Sequence, residues 1–463
     1  MAPTTTFEGT DQSASAGSGP GASGVAVEAS DAIAVAPAGP ESAPVGTTPA
    51  AFRPAMVGLL GSMAALGAVT VDIYLPSLPA VAADLGTSAA AVQLTISGVL
   101  LGAALGQLIM GPLSDRFGRR RPALAGIGLH VVASILCVVA PTIGLLIGLR
   151  MVQGFGNAAA TITAMAVIRD RLSGGPAARV ISRLMLVIGV APLFAPTLGG
   201  LIAGAAGWRA VFVVLAVFGV VLWLAVWRWL PETLPPERRA TAGVRAALRG
   251  YRSLLGDRQF LALAVIPGLG MGALISYVVG SPFVLQEGFG LTAQQFALVF
   301  AVNGMALVIG AQVNAALLRR TAPIRILRVA LPLVVATGFA LLAFAVTGVG
   351  AALGILGSLW LMLFLLGFIM GNASAMALTL RGDRAGTAAA VIGATQAGIA
   401  GLVSSLVGLL GGGAVAMSMV ILGSLATALL FLVGGTLANR RRALKDDRRQ
   451  EAVSPDGQLV AEH

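Results

Sequence analysis

The chain has 463 residues, 57% of them hydrophobic and 11% charged, with a mean hydropathy of +0.90. Soluble domains carry about 25% charged residues, so the composition excludes a soluble enzyme and predicts an all-α integral membrane protein. The formal net charge of +11 does not signal nucleic acid as a partner, because the bases fall between apolar runs, as topology signals and anchors for anionic lipid do.

Single-residue chemistry is sparse. Cys137 is the one cysteine, so no intramolecular disulfide is possible. His130 and His463 offer no metal cluster, and no metal or organic cofactor is expected. Lys445 is the one lysine, and no G-x-x-x-x-G-K-[ST] is present. The chain therefore builds no P-loop, and any transport must use an ion gradient or run downhill.

In chain order, residues 1–54 are rich in Ala, Gly, Ser, Thr and Pro and read as a disordered tail without signal-peptide character. Twelve apolar runs near the 20 residues needed to cross a bilayer follow. They fall at 55–75, 91–111, 122–140, 143–168, 181–204, 209–230, 259–281, 293–317, 324–346, 351–377, 387–410 and 413–436. Bases cluster at alternate junctions: Arg116 and Arg119–Arg121, then Arg169, Arg171, Arg179 and Arg183, then six arginines over 238–258. Arg319, Arg320, Arg325 and Arg328 follow, then Arg381 and Arg384, and finally the tail. The opposite loops carry Arg209 alone. By the positive-inside rule both termini are cytoplasmic. The polar segment 231–258 sits near the midpoint, which predicts a six-helix bundle at 55–230, a cytoplasmic linker at 231–258 and a second bundle at 259–436, followed by a basic cytoplasmic tail at 437–463.

Asp72 is the clear acid inside a run, and Arg150 the clear base. Intramembrane charges are costly and mark functional sites. Asp72 lies about 5 Å and Arg150 about 10 Å from the non-basic face, at 1.5 Å per residue. If their helices are neighbours, the two can meet. Arg beside the carboxylate favours its ionised form, and dry surroundings favour the protonated form. A site alternating between these environments takes up and releases a proton.

The stretch GPLSDRFGRRR (111–121) is a charge-dense hairpin between two membrane-length runs. It resembles the signature loop between helices 2 and 3 of the major facilitator superfamily, through Gly111, Leu113, Ser114, Asp115, Arg116, Gly118, Arg119 and Arg120. RMVQGFGNAA (150–159) resembles the helix 4 motif of proton-driven members, with Arg150, Gln153, Gly154, Gly156 and Ala159 aligned. APLFAPTLGG (191–200) resembles the antiporter motif at Pro196, Gly199 and Gly200, with Ala191 and Ala195 in place of glycines. DIYLPSLPAVAADLG (72–86) and 277–303 together resemble the bicyclomycin-resistance and chloramphenicol-efflux (Bcr/CflA) subfamily of twelve-helix drug:proton antiporters. The resemblance covers about residues 52–433.

The resemblance implies the major facilitator fold, an inner-membrane location, a monomer, and exchange of protons for a small amphiphilic drug by alternating access. It implies proton coupling at Arg150, beside Asp72. It gives Asp115 a gating role against the start of helix 11, near Gly386 and Thr387, as a lock that breaks on inward opening. Tyr74, Gln93, Gln107, Gln153, Asn157, Thr161, Tyr277, Asn303, Asn372 and Gln396 occupy spans that line the family's central cavity. Buried amides also join helices without touching a ligand. A metabolite or sugar transporter of the same fold is the alternative, and an integral-membrane enzyme a remote one, since such enzymes need clustered acids or histidines.

Overall fold

A computed structural model describes residues 54–239, 244–381 and 385–451. The expectation of disorder for 1–54 lies, Pro54 apart, outside those residues, as does Arg384. The elements are α1 (Pro54–Asp72), a 3-10 turn (Leu75–Ser77), α2 (Leu78–Asp84), α3 (Ala89–Phe117), α4 (Arg120–Val138), α5 (Ile143–Arg171), α6 (Gly174–Ala206) and α7 (Trp208–Trp229). After the linker come α8 (Val244–Gly256), α9 (Arg258–Pro282) with a π-helical turn (Phe283–Gly288), α10 (Ala293–Leu317), α11 (Pro323–Thr347), α12 (Ala351–Thr379), α13 (Ala385–Leu409) and α14 (Ala414–Glu451). Among the described residues twelve helical segments are long and apolar enough to span a bilayer, and no strand occurs. Helices satisfy every backbone donor internally, which hydrocarbon demands.

Local signals set the ends. Ser88 accepts a hydrogen bond from the Ala91 amide at 3.2 Å to start α3, and Thr292 and Gln295 form a reciprocal capping box on α10. Asp257 accepts from the Gln259 and Phe260 amides at 3.0 and 3.3 Å to start α9. Three boundaries differ from the hydropathy reading. α3 runs through Asp115 and Arg116 to Phe117, so the signature hairpin is reduced to Gly118 and Arg119. α6 begins at Gly174 and takes in Arg179 and Arg183. α14 continues past the membrane-length segment to Glu451. Charge ends a hydropathy run, but it does not end a helix whose last turns reach the headgroups.

The helices form two six-helix bundles, α1 with α3–α7 and α9–α14. Both bundles contain very close crossings. A methyl group on Gly102 would collide with the Met151 carbonyl, and one on Gly154 with the Val99 carbonyl, so α3 and α5 touch backbone to backbone. In the other half Gly310 meets the Phe364 carbonyl, and Gly367 abuts Gly310 and Ala311, between α10 and α12. Small residues let helices approach where lipid supplies no hydrophobic drive. The bundles meet along two seams. α3 and α13 touch at three levels, Ala90 with Gly408, Ser97 with Ser404, and Gln107 with Gly393. α6 and α10 meet where Gly200 faces Ala293 and Gly204 faces Gln294, at the end away from the basic face. Arg209, the lone base on that far side, is ion-paired to Asp84 at 2.6 Å.

Candidate functional site

The centre of the first bundle is a buried arginine. Arg150 on α5 has no exposed surface. One guanidinium nitrogen donates to Gln153 Oε1 at 2.6 Å, a single turn along the helix. The other donates to the Thr70 carbonyl on α1 at 3.2 Å. The guanidinium carbon lies 4.8 Å from the Tyr74 ring centroid and 5.6 Å from that of Phe212, so two aromatic faces cover the charge. Gln153 passes the network on, donating to Ser134 Oγ at 2.7 Å, and Ser134 bonds the His130 carbonyl at 2.7 Å. α4, α5 and α1 are thus linked through polar groups.

Asp72 stands apart from this cluster. Among the described residues it is not ion-paired with Arg150 or with any other base. Arg150 is engaged instead by Gln153, the Thr70 carbonyl and the Tyr74 and Phe212 rings. Asp72 is the last residue of α1. It is 7% exposed and, among the described residues, the one buried acid. Tyr277 accepts from Asn303 Nδ2 at 3.2 Å and stacks on Phe300 at 5.5 Å. The helix end carrying Asp72 rests on α6: a methyl group on Gly199 would strike the Ile73 carbonyl. The next glycine, Gly200, contacts α10, and buried Pro196 lies one turn earlier.

The remaining polar residues divide by partner. Asn372 is joined to Asn314 by hydrogen bonds of 2.8 and 3.4 Å, which ties α12 to α10. Gln396 donates to Ser374 at 3.0 Å. Thr161 bonds the Asn157 carbonyl at 3.3 Å, and Asn157 faces Gly67 on α1. Gln107 lies against Gly393 in the α3–α13 seam. Gln93, fully buried in the same seam beside Gly408, has no hydrogen-bond partner for its amide among the described residues.

At the basic face, Arg119 is the hub. It donates to both Asp170 carboxylate oxygens at 2.8 and 3.2 Å, to Asp115 at 2.5 Å and to Ser114 Oγ at 3.1 Å. Burial works to lower its pKa, but the two carboxylates outweigh that and raise it. Its backbone amide donates to Glu232 Oε1 at 2.8 Å. Partial burial of Glu232 opposes ionisation, yet the amides of Arg119, Leu234 and Arg120 hold it below the usual carboxylate range. Gly118 has φ of +87°, and a methyl group there would meet the Glu232 carboxylate, so this glycine is required twice over. Gly111 has open space around it. Arg116 is exposed and lies over the Phe117 ring at 5.3 Å. Asp115 thus pairs with Arg119, and among the described residues no hydrogen bond or ion pair joins it to the first turn of α13. Thr387 of that turn packs against Gly250 of α8, and α8 also bonds α3 through Tyr251 Oη to the Leu108 carbonyl at 2.9 Å. Sequence reasoning missed Asp170, Glu232, Ser134 and Phe212. The first two are visible in the sequence only as lone acids in basic surroundings.

Residues 58–412 match the Major Facilitator Superfamily. The chain belongs to that superfamily. This facilitator is 36% identical over 360 residues to the MFS-type transporter YdgK of Bacillus subtilis (strain 168), covering 77% of this chain and 89% of that one. It is 29% identical over 355 residues to the bicyclomycin resistance protein homolog of Haemophilus influenzae, covering 75% and 87%. It is 31% identical over 334 residues to the multidrug resistance protein MdtL of Escherichia coli, covering 70% and 81%. Among solved structures, the nucleoside transporter NupG superposes with a TM-score of 0.66 at 12% identity, covering 82% of this chain and 98% of that one. A partially occluded inward-open form of the xylose transporter XylE from E. coli gives 0.63 at 13% identity, covering 82% and 96%. At these identities the structural likeness is one of fold.

Proposed function

We propose that this facilitator is a proton-coupled exporter of small amphiphilic antibiotics, working as a monomer in the bacterial inner membrane with both termini cytoplasmic. The observation that carries the reading is the isolation of Asp72. Among the described residues it is the one buried acid, no base is ion-paired to it, and Arg150 bonds Gln153 and the Thr70 carbonyl instead. A carboxylate with no fixed counter-charge responds to the water around it. Open to the outside it takes a proton; open to the cytoplasm it gives the proton up. Alternating access of the two halves then exchanges that proton for drug. An inward proton supplies about 2.3 kcal/mol per 100 mV and about 1.4 kcal/mol per pH unit, enough to sustain at least a tenfold gradient of a neutral solute. The names of two relatives, a bicyclomycin resistance protein homolog and a multidrug resistance protein, support drugs as the cargo.

The test is accumulation of chloramphenicol, florfenicol and bicyclomycin in a pump-deficient bacterial host, with and without an uncoupler. The wild type lowers accumulation, and both the uncoupler and Asp72→Asn abolish the effect. Unchanged accumulation of all three compounds, combined with uphill loading of a nucleoside or sugar, selects the metabolite-transporter reading. Full export by Asp72→Asn removes this residue from coupling.

A further inference from the structure

At the basic end of α4 and α7 lies a cavity of about 370 Å³. Arg120, Arg121 and Arg239 line it, with Glu232, Leu124 and Trp227. The three arginines come from two distant segments, the first turn of α4 and the linker after α7. The one acid in the lining is already occupied, because the Glu232 carboxylate accepts from the main-chain amides of Arg119, Arg120, Thr233 and Leu234 at 2.8–3.3 Å. Among the described residues none of the three guanidinium groups has an ion-pair partner. Arg239 is close enough for its charge to help hold the Glu232 carboxyl low. Arg120 is held in place by a bond from its Nη2 to the Trp227 carbonyl.

Three guanidinium groups around one cavity, none of them ion-paired, fit an anion with several acceptor oxygens. The position says which anion. α4 and α7 are both membrane spans, so the cavity opens at headgroup depth. Its remaining wall is the apolar Leu124 and a Trp227 that is 53% exposed, an aromatic placed where rings sit at the membrane interface. We propose that this cavity binds the phosphate of an anionic phospholipid, with Arg120, Arg121 and Arg239 on the phosphate oxygens and the acyl chains running along α4 and α7. Glu232, which accepts from the Arg119 amide among others, places the lipid next to the Arg119–Asp170 network.

Native mass spectrometry of the full chain, taken from nanodiscs of phosphatidylcholine mixed with phosphatidylglycerol, tests the assignment. The wild type retains one phosphatidylglycerol through delipidation. Arg121→Gln, a change at an exposed position, weakens retention roughly tenfold, the size of one lost charge-assisted hydrogen bond. The triple variant Arg120→Gln, Arg121→Gln, Arg239→Gln abolishes it. Arg319→Gln with Arg320→Gln, at exposed arginines of another loop, leaves it intact and controls for net charge. Inorganic phosphate in excess does not displace the lipid. Retention unchanged in Arg121→Gln, or lost equally in the loop control, overturns the proposal. Displacement by inorganic phosphate alone reassigns the cavity to a free anion and overturns the lipid.

Discussion

Arg150 is held by contacts that lysine cannot copy. A planar guanidinium lies over Tyr74 and Phe212 while donating to two acceptors in different directions. Arg150→Lys is expected to keep the protein in the membrane but to slow transport at least about tenfold, the equivalent of about 1.4 kcal/mol. Initial export rates normalised to protein amount decide it, and a rate within twofold of wild type would contradict the assignment. Asp257 gives a pH prediction. Partial burial works to raise this carboxyl, but Arg381 and the Phe260 and Gln259 amides outweigh it and hold it below the usual 3.8. A lowered carboxyl stabilises the fold above its unfolded pKa, and that contribution fades as the pH falls through the folded value. The difference in melting temperature between wild type and Asp257→Asn should therefore be constant near neutrality and shrink below about pH 4. A difference that grows with acidity would refute this sign.

At the scale of helices, the α3–α5 crossing is a tight constraint. Gly102→Ala pushes a methyl group into the Met151 carbonyl, and backbone cannot step aside as a side chain can. An overpacking cost of about 1–3 kcal/mol or more is expected. Gly111→Ala, with open space around it, should be nearly silent. Fluorescence-detected size exclusion after graded heating separates the two, and equal loss in both would show that the crossing is looser than described. The twelve spans were readable because hydropathy over 20 residues is a strong signal. The Arg119 hub was not. Its acid partners Asp170 and Glu232 lie 51 and 113 residues away, and no local pattern connects such positions. That Asp72 and Arg150 are not ion-paired here could not be read from the sequence for a different reason. Residue counting gives depth in a membrane, but the angle about the helix axis depends on which neighbour each face meets.

For the molecule as a whole, the α6–α10 seam offers a direct handle. A Cβ on Gly200 would stand 3.8 Å from that of Ala293, the spacing a disulfide prefers. Gly200→Cys with Ala293→Cys should cross-link on oxidation, close the far end and stop transport, and reductant should restore it. Continued transport by fully cross-linked protein would mean that the two halves need not part there. The charges are distributed unlike the seams. Among the described residues the ion pairs are Arg119 with Asp115 and Asp170, Arg209 with Asp84, and Arg381 with Asp257, and each joins parts of one half. The described seam contacts involve glycine, alanine, serine, leucine and amide side chains. Rocking one half against the other thus separates no opposite charges at those contacts, and it leaves nothing there for dissolved ions to screen. The rate of switching between the two conformations should consequently change little with ionic strength, which export assays across a range of salt concentrations would check.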